Sequence, residues 1–253
     1  NLPTLATAAE ENHRAALQTL TKLIANDANN PEYQLILARS HRDIVPVLLY
    51  RRRFPTSQSS TAGEELTAEQ KQELDAQRRA SYARRQAEAS ESMKKSREIL
   101  EDLVARYPRV PTYKYELVRT LTRRFRRRTT SETDRQEYYA TIIRNHKTAL
   151  GLAEELASDY PDVPEYSARV AYTTRTLSDY YGSLGDAENA EKYARLAFVK
   201  MSDQANAYSQ VPRYRLYLAF MAQRLIEILN ESNRIDESRD LVLQMLESTE
   251  NLE

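Results

Sequence analysis

The residues best placed to do chemistry in this 253-residue sequence are arginines. Two runs, Arg51-Arg52-Arg53 and Arg123-Arg124-Phe125-Arg126-Arg127-Arg128, set guanidinium groups side by side, as proteins that neutralise phosphates do. Both runs fall toward the C-terminal end of an expected helix, where the macrodipole favours each cation by about 0.3–1 kcal/mol. Lys plus Arg equals Asp plus Glu at 37 each, so the whole chain has no field that draws in polyanions. A solvated or protein-docking face therefore outweighs a nucleic-acid one, and nucleic acid is disfavoured as a partner.

Other chemistries find less support. His13, His41 and His146 fall on three separate expected helices, with no second ligand three or four residues on that would make a metal pair. Cysteine is absent, which removes thiolate ligands, disulfides and cysteine nucleophiles. The sequence has no Gly-rich phosphate loop, nucleophile elbow or His-Glu-x-x-His. It reads as non-catalytic, with no cofactor and no metal site.

The elements that must position the arginines are helices. Gly occurs only four times, too few for the turns of a sheet protein of this length. One phrase recurs four times: Pro, any residue, Tyr, then an apolar pair. It stands at Pro31-Glu32-Tyr33 with Leu37-Ala38, Pro111-Thr112-Tyr113 with Leu117-Val118, Pro164-Glu165-Tyr166 with Val170-Ala171, and Pro212-Arg213-Tyr214 with Leu218-Ala219. Proline fixes φ and lacks the N–H that a first helical position leaves unpaired, so each phrase marks a helix start. Apolar residues before it, such as Leu100, Leu103, Val104 and Tyr107, have the spacing of a helix that has just ended.

The expected unit is thus a helix pair, helix A then helix B, closed by a short Pro-containing link. We expect one all-α domain over 1–253 with about nine helices: a leading helix over 3–26, then units at about 31–107, 111–160, 164–207 and 211–249. The anchors lie 80, 53 and 48 residues apart, and the long first interval holds a loop insertion at 54–66. After it, Thr67 and Gln70 have the spacing of a capping box. The helix they open is expected either to run on to Tyr107 or to break near Ser90–Ser92. No apolar stretch approaches the roughly 18 residues of a membrane span. Asn1 is followed by no basic and apolar leader, which suggests an excised or processed chain.

The phrases Tyr160-Pro-Asp-Val-Pro-Glu-Tyr166 and Leu184-Gly185-Asp186-Ala187-Glu188-Asn189-Ala190 resemble a divergent tetratricopeptide repeat. They are similar to the tetratricopeptide regions of bacterial signalling proteins, including ones that follow a serine/threonine kinase domain. The units here are longer than the roughly 34 residues of that family. The resemblance implies a right-handed α-solenoid whose A helices line a concave groove for a peptide or partner helix, and it leans toward an extracytoplasmic location.

Aligned on the apolar pair, the groove positions it implies are Leu35, Arg39, Arg42 and Asp43, then Tyr115, Arg119, Thr122 and Arg123. The third and fourth units add Ala168, Tyr172, Arg175 and Thr176, then Leu216, Phe220, Gln223 and Arg224. Six Arg against one Asp suit an acidic segment, because Arg grips carboxylates through paired hydrogen bonds and Tyr and Phe add stacking area. Tyr180 and Tyr181 join Tyr172 as aromatic groove candidates, whereas Tyr113 and Tyr166 are expected to link units. The expected function is a protein-interaction scaffold. The alternative is self-assembly, with the basic second unit of one copy meeting the acidic residues 229–253 of another.

Overall fold

Proline opens four helices of the computed structural model. α1 spans Leu2–Asn26, α2 Pro31–Tyr50, α3 Ala68–Arg106, α4 Pro111–Leu121, α5 Glu132–Asp159, α6 Pro164–Ser183, α7 Ala187–Ala207, α8 Pro212–Glu231 and α9 Ile235–Glu250. The structure describes residues 2–50, 67–123 and 131–250, with side chains for 7–49, 67–123 and 131–245. The expected insertion at 54–66, Arg51–Arg53 and the Arg run beyond Arg123 lie outside the described residues. Those residues are all-helical, without a strand.

The link before each Pro-x-Tyr phrase folds the same way. Tyr107, Tyr160 and Tyr208 end α3, α5 and α7 with φ near −129°, −133° and −122°. In each link the N–H of the following Val donates to the carbonyl of that Tyr, at 3.1 Å for Val110, 3.0 Å for Val163 and 2.9 Å for Val211. The ring of that Tyr then meets the Tyr of the phrase edge-on or tilted, at 5.9 Å for Tyr107–Tyr113, 6.1 Å for Tyr160–Tyr166 and 5.9 Å for Tyr208–Tyr214. Such pairs add about 0.5–1.5 kcal/mol beyond the area they bury. The first link has Asp27 and Asn30 instead, and the Asn30 side chain caps α2 by accepting from the N–H groups of Glu32 and Tyr33.

A second turn repeats at the A-to-B junctions of the last two pairs. Gly185 sits at φ +77° between α6 and α7, and Asn233 at φ +56° between α8 and α9. In both turns the next residue donates back to a carbonyl five positions earlier, Asp186 to Tyr181 at 3.0 Å and Arg234 to Leu229 at 2.8 Å. Left-handed backbone is open to Gly and tolerated by Asn, so residue type and geometry agree.

The chain divides into two compact units, Asn1–Arg127 and Arg128–Glu253, and the boundary falls between α4 and α5. In the first unit α2 packs against α1 and α3, and α3 against α4. Ile44, Val45, Leu48 and Ala89 form a core there, with Leu17, Leu49 and Met93 around it. The Thr67–Gln70 capping box is present, and α3 is continuous through Ser90–Ser92. Its buried stripe begins only at Ala89 and continues through Ser92, Ser96, Leu100 and Leu103.

In the second unit consecutive helices from α5 to α9 pack on one another. Ala168, Ala171, Ala197 and Ala205 bring backbones close, and Met201, Tyr214, Leu218 and Met221 fill the space between them.

Candidate functional site

The face shared by α2 and α4 is organised around one carboxylate. Glu116, on the second turn of α4, is buried and holds three guanidinium groups. Arg42 of α2 reaches it from inside the core. Arg39, one turn earlier on α2, forms an ion pair with it at 2.8 Å, and Arg119 of α4 donates to it at 3.2 Å. Arg42 also donates to Asp43 at 2.9 Å. Burial alone would push the Glu116 carboxyl up, but the Arg42 hydrogen bond and the charges of Arg42, Arg119 and Arg39 hold it below its ordinary value of 4.5. Asp43 follows the same pattern: burial opposes, and Arg42, then Arg119 and Arg123, hold its carboxyl low.

Exposure divides the four arginines. The Arg42 side chain is only 2% exposed, so its charge is spent inside the fold. Arg39 and Arg119 keep 39% and 41% of their side chains in water while Glu116 steadies them from beneath. Arg123 is half-buried just past α4, and Tyr115 is half-buried on α4. Four guanidinium groups thus stand against two carboxylates, and three of the four reach solvent.

The equivalent positions of α6 and α8 meet around Asp179, in a different balance. Arg175 of α6 lies 3.3 Å from Asp179 and crosses to α8, where its Nε donates to the Phe220 carbonyl at 3.3 Å. Arg224 of α8 returns to Asp179 at 3.4 Å and also meets Glu227 at 3.4 Å. Its Nη2 lies where a Cβ on Gly182 would sit, 2.4 Å away, so glycine at 182 leaves room for the guanidinium over the last turn of α6. Around Asp179 two arginines are met by two acids, and these pairs tie helix to helix. Tyr172 meets Tyr217 edge-on at 5.0 Å, and burial, then the hydrogen bond with Tyr217, pushes its phenol up. Leu216 and Phe220 are exposed at 56% and 46%.

Other residues singled out in the sequence take structural places. Ala168 is buried in the core. Tyr181 is buried and stacks on Tyr193 at 5.4 Å, while Tyr180 meets His146 at 5.1 Å. His146 is itself buried, with Nδ1 2.9 Å from the Ile142 carbonyl, to which it can only donate. Burial, then Lys95, pushes His41 below 6.5. Among the described residues no three of His, Asp and Glu gather as metal ligands, and no helix is long and apolar enough to cross a membrane.

Sequence reasoning missed Glu116 and Asp179 as the centres of these clusters. A signal for Glu116 was present: it is the lone acid among seven basic residues in 111–128. Asp179 sat four residues after Arg175, the spacing of a helical ion pair. No known protein-family profile matches the chain, and no curated protein matches it.

Proposed function

We propose that the chain is a non-catalytic protein-interaction scaffold, a tetratricopeptide-like array of helix pairs wound as a right-handed solenoid, whose α2–α4 face receives an acidic segment of a protein partner. The observation that carries this reading is the charge balance at Glu116 and Asp43: two carboxylates against Arg39, Arg42, Arg119 and Arg123, with Arg39 and Arg119 well exposed. A guanidinium already braced on one side by Glu116 loses less freedom when a second carboxylate arrives on its other side. Tyr115 offers ring surface on the same helix. The resemblance of the Pro-x-Tyr phrases to the tetratricopeptide regions of bacterial signalling proteins supports the same reading.

The α6–α8 face contributes differently. Arg175 and Arg224 are engaged with Asp179, so Tyr172, Leu216 and Phe220 supply apolar area there rather than charge. A labelled Glu-rich helical peptide should bind the full chain at low salt, weaken as salt rises, and fail to bind when its Glu are replaced by Gln. Equal binding of the Gln peptide would remove electrostatic recognition, and with it the proposal.

A further inference from the structure

α9 leaves a mixed apolar and charged surface exposed. Ser238 and Leu241 are buried and Met245 packs on the core. Ile235 and Val242, which flank that stripe, and Leu243, which lies across the helix from it, are exposed at 55%, 39% and 49%. Ile235, Arg239 and Val242 fall three or four residues apart, as do Asp236, Asp240 and Leu243, so two rows of one outward face alternate apolar and charged groups. Asp236 and Asp240 are 88% and 72% exposed. From Ile235 to Glu250 the sequence carries five acids, Asp236, Glu237, Asp240, Glu247 and Glu250, against Arg239 alone.

That helix is held ready for docking. Glu191 and Arg195 of α7 form a closed ring with Arg234 and Glu237 at the start of α9, with links of 2.8, 2.8, 2.6 and 2.6 Å. The ring occupies Glu237; Asp236 and Asp240 face outward and share the single guanidinium of Arg239, 3.4 Å from the first and 3.9 Å from the second, so this face keeps one acid in excess. Pairing α9 with another α9 would set two acidic helices together, which like-charge repulsion opposes. The complementary surface on this chain is the α2–α4 face, where exposed Arg39 and Arg119 stand beside Ile36, itself 45% exposed, and Tyr115.

We infer that the acidic segment taken by the α2–α4 face is α9 of a second copy of this chain, joined head to tail. This rests on the reading of that face given above and names its occupant. Asp236 and Asp240 of one copy meet Arg39 and Arg119 of the next, while Val242 and Leu243 cover Ile36 and Tyr115. The contact is heterologous, so each copy keeps one free face of each kind and assembly continues until it closes or the copies run out.

Sedimentation velocity of the full chain tests this. At low salt the wild type should sediment faster as concentration rises, and high salt should reverse the effect. The variants Asp236→Lys/Asp240→Lys and Arg39→Ala/Arg119→Ala should each be monomeric, because each lacks one half of the junction. Mixed together, they retain one intact junction between them and should form a dimer that grows no further. A wild type that stays monomeric at low salt, an Asp236→Lys/Asp240→Lys variant that associates like wild type, or a mixture that stays monomeric would each overturn the inference. The first α9 change lies on exposed residues away from the core, so circular dichroism should show unchanged helix. If the wild type is monomeric yet binds the Glu-rich peptide, the α2–α4 face keeps its role with a different occupant; if it does neither, both readings fail.

Discussion

Glu116 and Arg42 depend on each other more than on anything else nearby. Removing the Glu116 charge leaves the Arg42 guanidinium buried with Asp43 as its one acidic neighbour among the described residues. Breaking a buried pair from one side typically costs roughly 3–5 kcal/mol. We expect Glu116→Gln to lose on the order of 3 kcal/mol in denaturant unfolding. Replacing both partners, Arg42→Met with Glu116→Leu, should recover most of that loss, because an apolar pair leaves no charge stranded. The pH dependence has a definite sign. The Glu116 carboxyl is held below its ordinary value of 4.5, so its contribution is complete above that pH and is lost as pH falls through the lower folded value. Acid unfolding of Glu116→Gln should therefore be shallower than that of wild type below pH 4.5.

At the scale of elements, the two recurring turns each rest on one residue in left-handed backbone, Gly185 and Asn233. Gly185 has open space around the position of a Cβ, so its substitution is penalised by backbone conformation alone. Gly185→Ala should cost about 1–2 kcal/mol, the left-handed penalty for an L-residue, measured by thermal or denaturant unfolding. The α7–α9 ring makes a softer prediction. Glu237 is held at about 2 by Arg234 and then Arg195, so its contribution is present above its ordinary 4.5 and lost as pH falls toward 2. In hydrogen exchange, α9 amides should open faster in Glu237→Gln than in wild type, with α6 amides unchanged. Helix starts were legible because proline and the Thr67 cap act locally, within one turn of the residue that carries the signal. The continuity of α3 through Ser90–Ser92 was not, because Ser92 and Ser96 are buried by neighbouring helices, Ser96 within 3.3 Å of Thr120. The direction of the arginines was legible only in part. Arg39 and Arg42 differ by three positions, yet one faces water and the other the core, and that choice depends on a carboxylate 74 residues from Arg42.

At the scale of the molecule, charge is distributed so that a neutral chain carries a basic face in one unit and an acidic helix in the other. The surplus sits where α2 and α4 meet; at the corresponding place on α6 and α8, Asp179 and Glu227 absorb Arg175 and Arg224. Recognition of acidic segments should therefore belong to the first unit. The direct measurement is titration of the full chain with a labelled Glu-rich peptide at low salt, comparing two double variants. Arg39→Ala/Arg119→Ala should weaken binding about tenfold or more, a loss of about 1.4 kcal/mol, while Arg175→Ala/Arg224→Ala should leave affinity within about twofold. Wild-type affinity in the first variant, or an equal loss in both, would contradict the account.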